Sequence, residues 1–359
     1  MKILFLADAR SIHIRRWIEF FNQQGEQTYL ISLEESTQPI TEMIQLRSPN
    51  LPNFSKYFLA TKQIREIVEK IKPDLINAHF VPNYGWIGAR LAFRPLVVSA
   101  WGSDILVSAE KSIFHRLRAG WVLKKADWLT SDSNYLTNQM VKLGALRNKI
   151  STFPMGINRE FLSIPKRQLS KKNEITIIST RQLEPVYNLD LLIRVVPLIM
   201  ERSNLDIRFL IVGEGSQRER LRDLARRLGV TDKAEFCGKV SLENLIKLLT
   251  SADIYVSTSL SDSTSVSLLE AMACSLIPVV TDIAGNREWI EDGINGFLVP
   301  TNRPEELAEK IVSSCQNMAG LQKIVDRNKQ MVSEKANYQA NLLLLREKFF
   351  QLVREHKAS

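Results

Sequence analysis

The sequence predicts an α/β protein built as two doubly wound, parallel-sheet domains, and three observations carry that prediction. The chain has 359 residues, enough for two domains of the usual ~150 residues. Short apolar, β-branched runs alternate with amphipathic helical stretches along its whole length, the pattern of a parallel sheet covered by helices on both faces. Between two such series lies Leu162–Asn173 (LSIPKRQLSKKN), polar, basic and interrupted by Pro165, the composition of a linker.

Taken in order, strands are expected at Lys2–Ala7, Thr28–Ser32, Leu75–Ala78, Leu96–Ala100, Trp128–Ser131 and Ile150–Phe153, with helices between them such as Ile14–Gln24 and Phe58–Lys70. A second series starts at Glu174–Ser179. It continues through Ile207–Val212, Ala234–Cys237, Ile254–Ser257, Ile277–Val280 and Gly296–Val299. The last stretch, Ala336–Lys357, has helical spacing and no strand after it. The expected division is therefore residues 1–165, residues 166–335 and a terminal helix over 336–359.

Composition excludes several classes. At 45% apolar and 24% charged residues the chain is an ordinary globular protein with ample core. No run approaches the ~18 apolar residues of a membrane span. The opening MKILFLAD reads as a first strand rather than a signal peptide. Cys237, Cys274 and Cys315 show no metal-ligand spacing, which suits a reduced, cytoplasmic protein. The net charge of +9 is uneven, with 21 basic against 14 acidic residues in 1–165 and 27 against 25 in the rest. An acidic partner for the first half follows as an expectation: an anionic membrane surface, a lipid-phosphate acceptor or nucleic acid. No recognised nucleic-acid-binding motif accompanies the charge, so no nucleic-acid partner is expected.

The most informative stretch is Ser251–Thr281 (SADIYVSTSLSDSTSVSLLEAMACSLIPVVT). A buried strand, a polar loop, a helix beginning near Val266 and a second strand make a βαβ unit whose helix presents free N–H groups to an anion. Asp262 lies in the loop and Glu270 eight residues on. The Thr264, Ser265 and Val266 amides point toward Asp262 if they open the helix, and Glu270 is placed to accept hydrogen bonds from a ribose. Arg181 follows the first strand of the second half, where a guanidinium can hold a diphosphate bidentately, and Asn188 is expected to cap the next helix.

These residues resemble the E-x7-E signature of the GT4 family of retaining, nucleotide-sugar-dependent glycosyltransferases, which have the GT-B fold. The resemblance implies that Asp262 touches the donor sugar, that Thr264, Ser265 and Val266 hold the phosphates, and that Glu270 holds the ribose. Asp262 stands where the family usually has Glu, and Ser265 and Ser275 where Gly is common. Tyr187 occupies the position of a family lysine beside Arg181. Val212-Gly213-Glu214-Gly215 is similar to the family's V-G-x-G turn. Phe236–Val240 is similar to F-x-G-x-V, in which backbone groups around Lys239 and Val240 read the base. Gly285–Glu288 and Asp292–Val299 resemble the G-x-x-E and D-G-x-x-G-x-L-V turns; for Gly293 and Gly296 ordinary turn formation is the preferred explanation.

The first half matches less closely. Ala100–Asp104 (AWGSD) stands where the family has T-H-G-x-D, so Trp101 replaces a frequent histidine and Asp104 is retained. Asp8–His13 replaces the glycine pair after the first strand, and Ser11 is placed to cap the following helix with its amides toward the donor phosphates. His13 and His79 are candidates for the acceptor side together with Trp101 and Asp104, although a packed core histidine explains both as well. Lys111–Lys125 (KSIFHRLRAGWVLKK) is a basic helix with an aromatic apolar face, as on anionic bilayers. The same stripe packs any α/β helix onto its sheet, and that reading is preferred.

The resemblance implies a GT-B enzyme with an acceptor-binding first domain, a donor-binding second domain and a terminal helix crossing back to the first. The expected reaction is transfer of a hexose, glucose first, from a UDP-sugar to a glycan or lipid-linked acceptor in surface or exopolysaccharide synthesis. The expected place of action is the cytoplasm, peripheral on the inner face of the plasma membrane. No D-x-D occurs, so neither a metal nor another cofactor is expected. Alternatives are a UDP-sugar epimerase or hydrolase on the same fold, or a degenerate sugar-nucleotide-binding protein.

Overall fold

A computed structural model describes residues 1–36, 39–40, 42–46 and 54–358. It resolves into two compact units, Met1–Pro154 with Gln339–Ser359, and Met155–Tyr338.

The first unit contains strands β1 (Lys2–Leu6), β2 (Gln27–Ser32), β3 (Met43–Gln45), β4 (Leu75–His79), β5 (Leu96–Ser99), β6 (Trp128–Ser131) and β7 (Ile150–Thr152). Its helices are α1 (Ile12–Gln23), α2 (Phe54–Ile71), α3 (Trp86–Leu91), α4 (Ser103–Leu106), α5 (Ile113–Lys125) and α6 (Asn134–Lys142). The strands form one parallel sheet in the order β3-β2-β1-β4-β5-β6-β7. Chain order reverses between β1 and β4, so the loops after these two strands open a crevice at their carboxyl ends. Sequence reading missed only β3, three part-exposed residues at the sheet edge, too short for any alternation to register.

The second unit contains strands β8 (Glu174–Ser179), β9 (Asp206–Val212), β10 (Ala234–Gly238), β11 (Ile254–Ser257), β12 (Ile277–Thr281) and β13 (Phe297–Val299). Its helices are α7 (Arg159–Leu162), α8 (Leu189–Arg202), α9 (Arg218–Arg227), α10 (Leu242–Ser251), α11 (Val266–Ala273), α12 (Ala284–Arg287), α13 (Pro304–Gln316) and α14 (Gln322–Lys335). Its parallel sheet runs β10-β9-β8-β11-β12-β13 and reverses between β8 and β11. The period-2 pattern divides the core. Ile175, Ile177, Ile207, Phe209 and Ile211 pack on one face, and Ile178, Leu210 and Val212 on the other. Burial on both faces explains why these strands read as nearly continuous apolar runs.

Two expectations need correction here. Leu162–Asn173 is not the junction; it belongs to the second unit. Phe161 just before it is fully buried, and Leu169 N–H donates to Gln322 Oε1 at 2.7 Å. Arg167 and Lys172 both pair with buried Asp253, the latter at 2.7 Å. Two of the four basic residues that resemble a solvated linker thus neutralise one interior carboxylate. Asn188 and Ser11 stand at N-cap positions of α8 and α1, but neither side chain makes a capping bond. Asn188 is instead left-handed at φ 46°, a conformation asparagine tolerates better than most residues.

The helix Tyr338–Ala358 belongs to the first unit except for its first residue. Phe349 stacks on Phe21 at 5.4 Å between centroids, Arg346 pairs with Glu26 at 2.6 Å, and Asn341 donates to the Pro154 carbonyl at 2.9 Å. Among the described residues no helix is long and apolar enough to cross a membrane.

Candidate active site

In the second unit the reversal of strand order brings the loop after β8 against the loop after β11. Arg181, two residues beyond β8, is buried, and its Nη2 meets Asp262 Oδ2 at 2.6 Å. Its Nη1 donates to Ser265 Oγ at 2.7 Å and to Ser267 Oγ at 2.9 Å. Ser267 Oγ lies 2.9 Å from the hydroxyl of fully buried Tyr255. The Tyr187 ring covers the guanidinium at 4.0 Å, a cation–π contact in the place of a second cation. Burial is the largest single effect and opposes the charged guanidinium, but Asp262, Tyr255 and Tyr187 together outweigh it and the Arg181 pKa is raised.

Ser265 caps α11, its Oγ accepting from Leu268 N–H at 3.3 Å. Thr264 and Ser265 are buried and Val266 half-buried at the opening of that helix, and half-buried Glu270 lies about one turn further along. Three buried polar atoms beside the pair, Ser179 Oγ, Thr180 Oγ1 and Arg181 Nε, have no hydrogen-bond partner. Groups of that kind mark places where a ligand or water completes the bonding.

Glycines allow the loops to approach this closely. A Cβ on Gly213, at φ 145°, would lie 2.5 Å from the Arg181 carbonyl. A Cβ on Gly285 would lie 2.4 Å from the Ser263 carbonyl and 2.5 Å from that of Asp262. None of these three backbone oxygens can yield without moving the loop that carries the site.

In the first unit the crevice between β1 and β4 holds a cavity of about 310 Å³. Asp8, Ser11 and His13 line it from one loop, His79, Asn83 and Tyr84 from the other, and Trp101 closes it. His79 is a closed relay. Asn77 donates from Nδ2 to Ser99 Oγ at 3.0 Å and to the Val97 carbonyl at 3.3 Å, so its Oδ1 must accept from His79 Nε2 at 2.7 Å. His79 Nδ1 then accepts from Trp101 Nε1 at 3.1 Å. The ring is neutral, with burial pressing its pKa down to about 3. Buried Asp104 accepts from the Trp101 and Val81 amides, both at 3.0 Å, and burial raises its pKa to about 6. The His13 ring lies tilted against Trp101 at 5.1 Å between centroids, its Nδ1 buried without a partner, and burial lowers its pKa to about 4.

Comparison with known proteins then decides the family. The model for "Glycosyl transferases group 1" matches residues 161–331, and that for "Glycosyl transferase 4-like" matches residues 2–133. An uncharacterised glycosyltransferase of Methanocaldococcus jannaschii is 24% identical over 312 residues, 84% of each chain. The phosphatidyl-myo-inositol mannosyltransferase of Mycobacterium leprae is 26% identical over 68% of this chain and 64% of its own length. Anabaena HepE, solved in complex with UDP-glucose, superposes with a TM-score of 0.79 at 19% identity, covering 98% of this chain and all of that one.

The chain belongs to the GT4 family of glycosyltransferases.

With the GT-B fold thus assigned, most of the residues named from sequence fall into two groups, with Glu270, Lys239, Val240 and Asp104 outside them. Arg181, Asp262, Thr264, Ser265, Val266, Tyr187 and Gly213 come together at the strand ends of the glycosyltransferase's second unit. Exposed Lys239 and half-buried Val240 follow β10, two strands from β8 at the same edge. Ser11, His13, His79 and Trp101 line the first-unit cavity. Asp104 does not line it; its carboxylate holds the loops behind Trp101. Sequence reasoning missed Ser267, Tyr255 and Asn77. Asn77 had a signal, being the one amide in the apolar strand LINAH. The serine and tyrosine had none, because only packing turns them toward Arg181.

The preferred reading of α5 is overturned. Its buried side is Ala119, Gly120, Val122 and Leu123, and a Cβ on Gly120 would lie 2.6 Å from the Leu143 carbonyl. Contact that close leaves no room for larger side chains. Ile113 (61%), Phe114 (79%), Leu117 (64%) and Trp121 (39%) are exposed.

Proposed function

We propose that this glycosyltransferase moves a hexose, glucose by first choice, from a UDP-sugar to a glycan or lipid-linked acceptor with retention of configuration. The observation that carries the reading is the meeting of Arg181 and Asp262 at the β8/β11 reversal, beside three unpartnered polar atoms. A diphosphate there would take hydrogen bonds from Arg181 and the opening amides of α11, and the anion would be favoured by the helix terminus. Glu270 would hold the ribose, and Asp262, released from Arg181 by the incoming phosphate, the sugar hydroxyls. The UDP-glucose bound to the structurally similar HepE supports the choice of nucleotide and sugar.

The proposed chemistry is front-face displacement. The sugar–phosphate bond breaks as the acceptor oxygen approaches, and the departing phosphate takes the acceptor proton. Guanidinium and amide groups stabilise the leaving diphosphate, with no resident metal in the scheme. A place in surface-polysaccharide synthesis, peripheral on the inner face of the plasma membrane, fits the outward apolar and basic residues of α5.

The reading is tested by calorimetry with UDP-, GDP- and ADP-glucose. UDP-glucose should bind most tightly. Glu270→Ala should weaken UDP and UDP-glucose alike, and Asp262→Ala should weaken UDP-glucose more than UDP. Absence of binding by any of the three sugar nucleotides overturns the proposal, and release of free glucose without acceptor points to a hydrolase instead.

A further inference from the structure

A second cavity of the first unit, about 290 Å³, is lined by Lys56, Asn83, Ser108, Lys111, His115 and Arg118 among others, and among the described residues by no carboxylate. Glu34 answers Lys56 from outside the lining at 2.8 Å, leaving the surroundings net positive. Burial already pulls the Arg118 pKa down, so an anion here would relieve a desolvated charge. Tyr57, Phe80 and Asn83 also line the 310 Å³ cavity at the β1/β4 reversal, so the two share a wall. Phe80 sits on that wall at φ 71°, a backbone conformation that is strained for a bulky residue and held only where its surroundings impose it.

The occupant is indicated by α5. His115 and Arg118 reach the cavity from this helix, while Ile113, Phe114, Leu117 and Trp121 on the same helix are exposed. Exposed Lys111, Arg116, Lys124 and Lys125 accompany them. A soluble phosphate ester would use the cationic cavity but has no need of four outward apolar side chains. An anionic bilayer uses both, since lysine and arginine are drawn to its surface and aromatic and aliphatic groups enter the acyl boundary.

We propose that the cavity binds the phosphate of a membrane lipid. α5 lies in the interface, and the polar headgroup beyond the phosphate extends past Asn83 and Phe80 toward Trp101. This rests on the reading of the chain as a glycosyltransferase with a lipid-linked acceptor, and names the chemistry by which that acceptor is held.

The test is co-sedimentation of the full chain with vesicles of phosphatidylcholine alone, with added phosphatidylglycerol, or with oleate at the same surface charge. Calorimetry with UDP-glucose runs alongside. Phosphatidylglycerol vesicles should bind most strongly. Lys111→Gln with Arg118→Gln should weaken that binding about tenfold or more, and Lys124→Gln with Lys125→Gln, the same charge lost outside the cavity, much less. Phe114→Ser with Leu117→Ser should weaken binding to every anionic vesicle. Lys111→Glu, an exposed position whose change leaves the fold intact, should repeat the first loss. Equal binding to oleate vesicles, or equal losses from the two charge pairs, overturns the phosphate site and leaves only surface attraction. Relief of binding by inorganic phosphate but not by chloride at matched ionic strength supports it; failure of phosphate to compete counts against it. UDP-glucose affinity should be the same in all of these variants, so loss of the donor reading and loss of this one are separately visible.

Discussion

Arg181 satisfies Asp262, Ser265 and Ser267 at once, and its removal takes the ion-pair partner from a part-buried carboxylate and one donor from each of two buried hydroxyls. Arg181→Ala is expected to lower stability by about 3–5 kcal/mol, seen as an earlier urea midpoint, and to abolish UDP-glucose binding. Arg181→Lys restores the charge but not the fork, so it should recover part of the stability and little of the affinity. An Arg181→Lys variant with native affinity would show that geometry at this site does not matter. His79 gives a pH signature of known sign. Its pKa is about 3 when folded against ~6.5 unfolded, so the unfolded chain takes up the proton first and stability falls as pH drops below about 6.5. By pH 5 the loss is about 2 kcal/mol. Asp104, raised to about 6, works in the opposite sense and returns about 1 kcal/mol over the same range. Urea midpoints at pH 7 and pH 5 should therefore separate more for the native chain than for His79→Gln; equal separation would mean that His79 is not buried neutral.

At the scale of elements, the donor loops are assembled by backbone contact, with glycine as the permitting residue. Gly285→Ala forces a Cβ to within about 2.5 Å of two carbonyls, and the loop carrying Asp262 must shift. The expected outcome is a loss of about 1–3 kcal/mol, typical of overpacking. UDP-glucose affinity should fall with it, while circular dichroism is unchanged. Gly293→Ala makes no such contact, although its φ of 72° carries strain of its own, so it should lower stability and leave UDP-glucose affinity in place. The strands and principal helices were legible because each carries its own periodicity; β8, β11 and α11 lie where the apolar pattern puts them. The faces of α5 were not legible. An apolar stripe shows that a helix has a preferred side but does not say whether protein or solvent receives it, and for α5 the exposure of Ile113, Phe114, Leu117 and Trp121 shows that solvent does.

At the scale of the molecule, the chain leaves the first unit after Pro154 and returns to it at Gln339. The returning helix is part of the first unit's core: Phe349 is fully buried, and Leu342 and Leu345 are 1% exposed. Phe349→Ala is expected to cost about 3–5 kcal/mol. Hydrogen exchange should report the loss in β1, α1 and β2, with protection of β8–β12 retained; equal loss in both sets would mean that the units unfold as one. The sequence by itself determined the α/β class, the two series of strands and the candidate donor residues, because hydrophobic period and local motif are properties of neighbouring residues. Only the tertiary structure decided that Leu162–Asn173 serves Asp253, that His79 is sealed between Asn77 and Trp101, and that Arg181 and Asp262 meet. Each of these depends on which strands lie side by side, and that follows from the topology of the whole sheet.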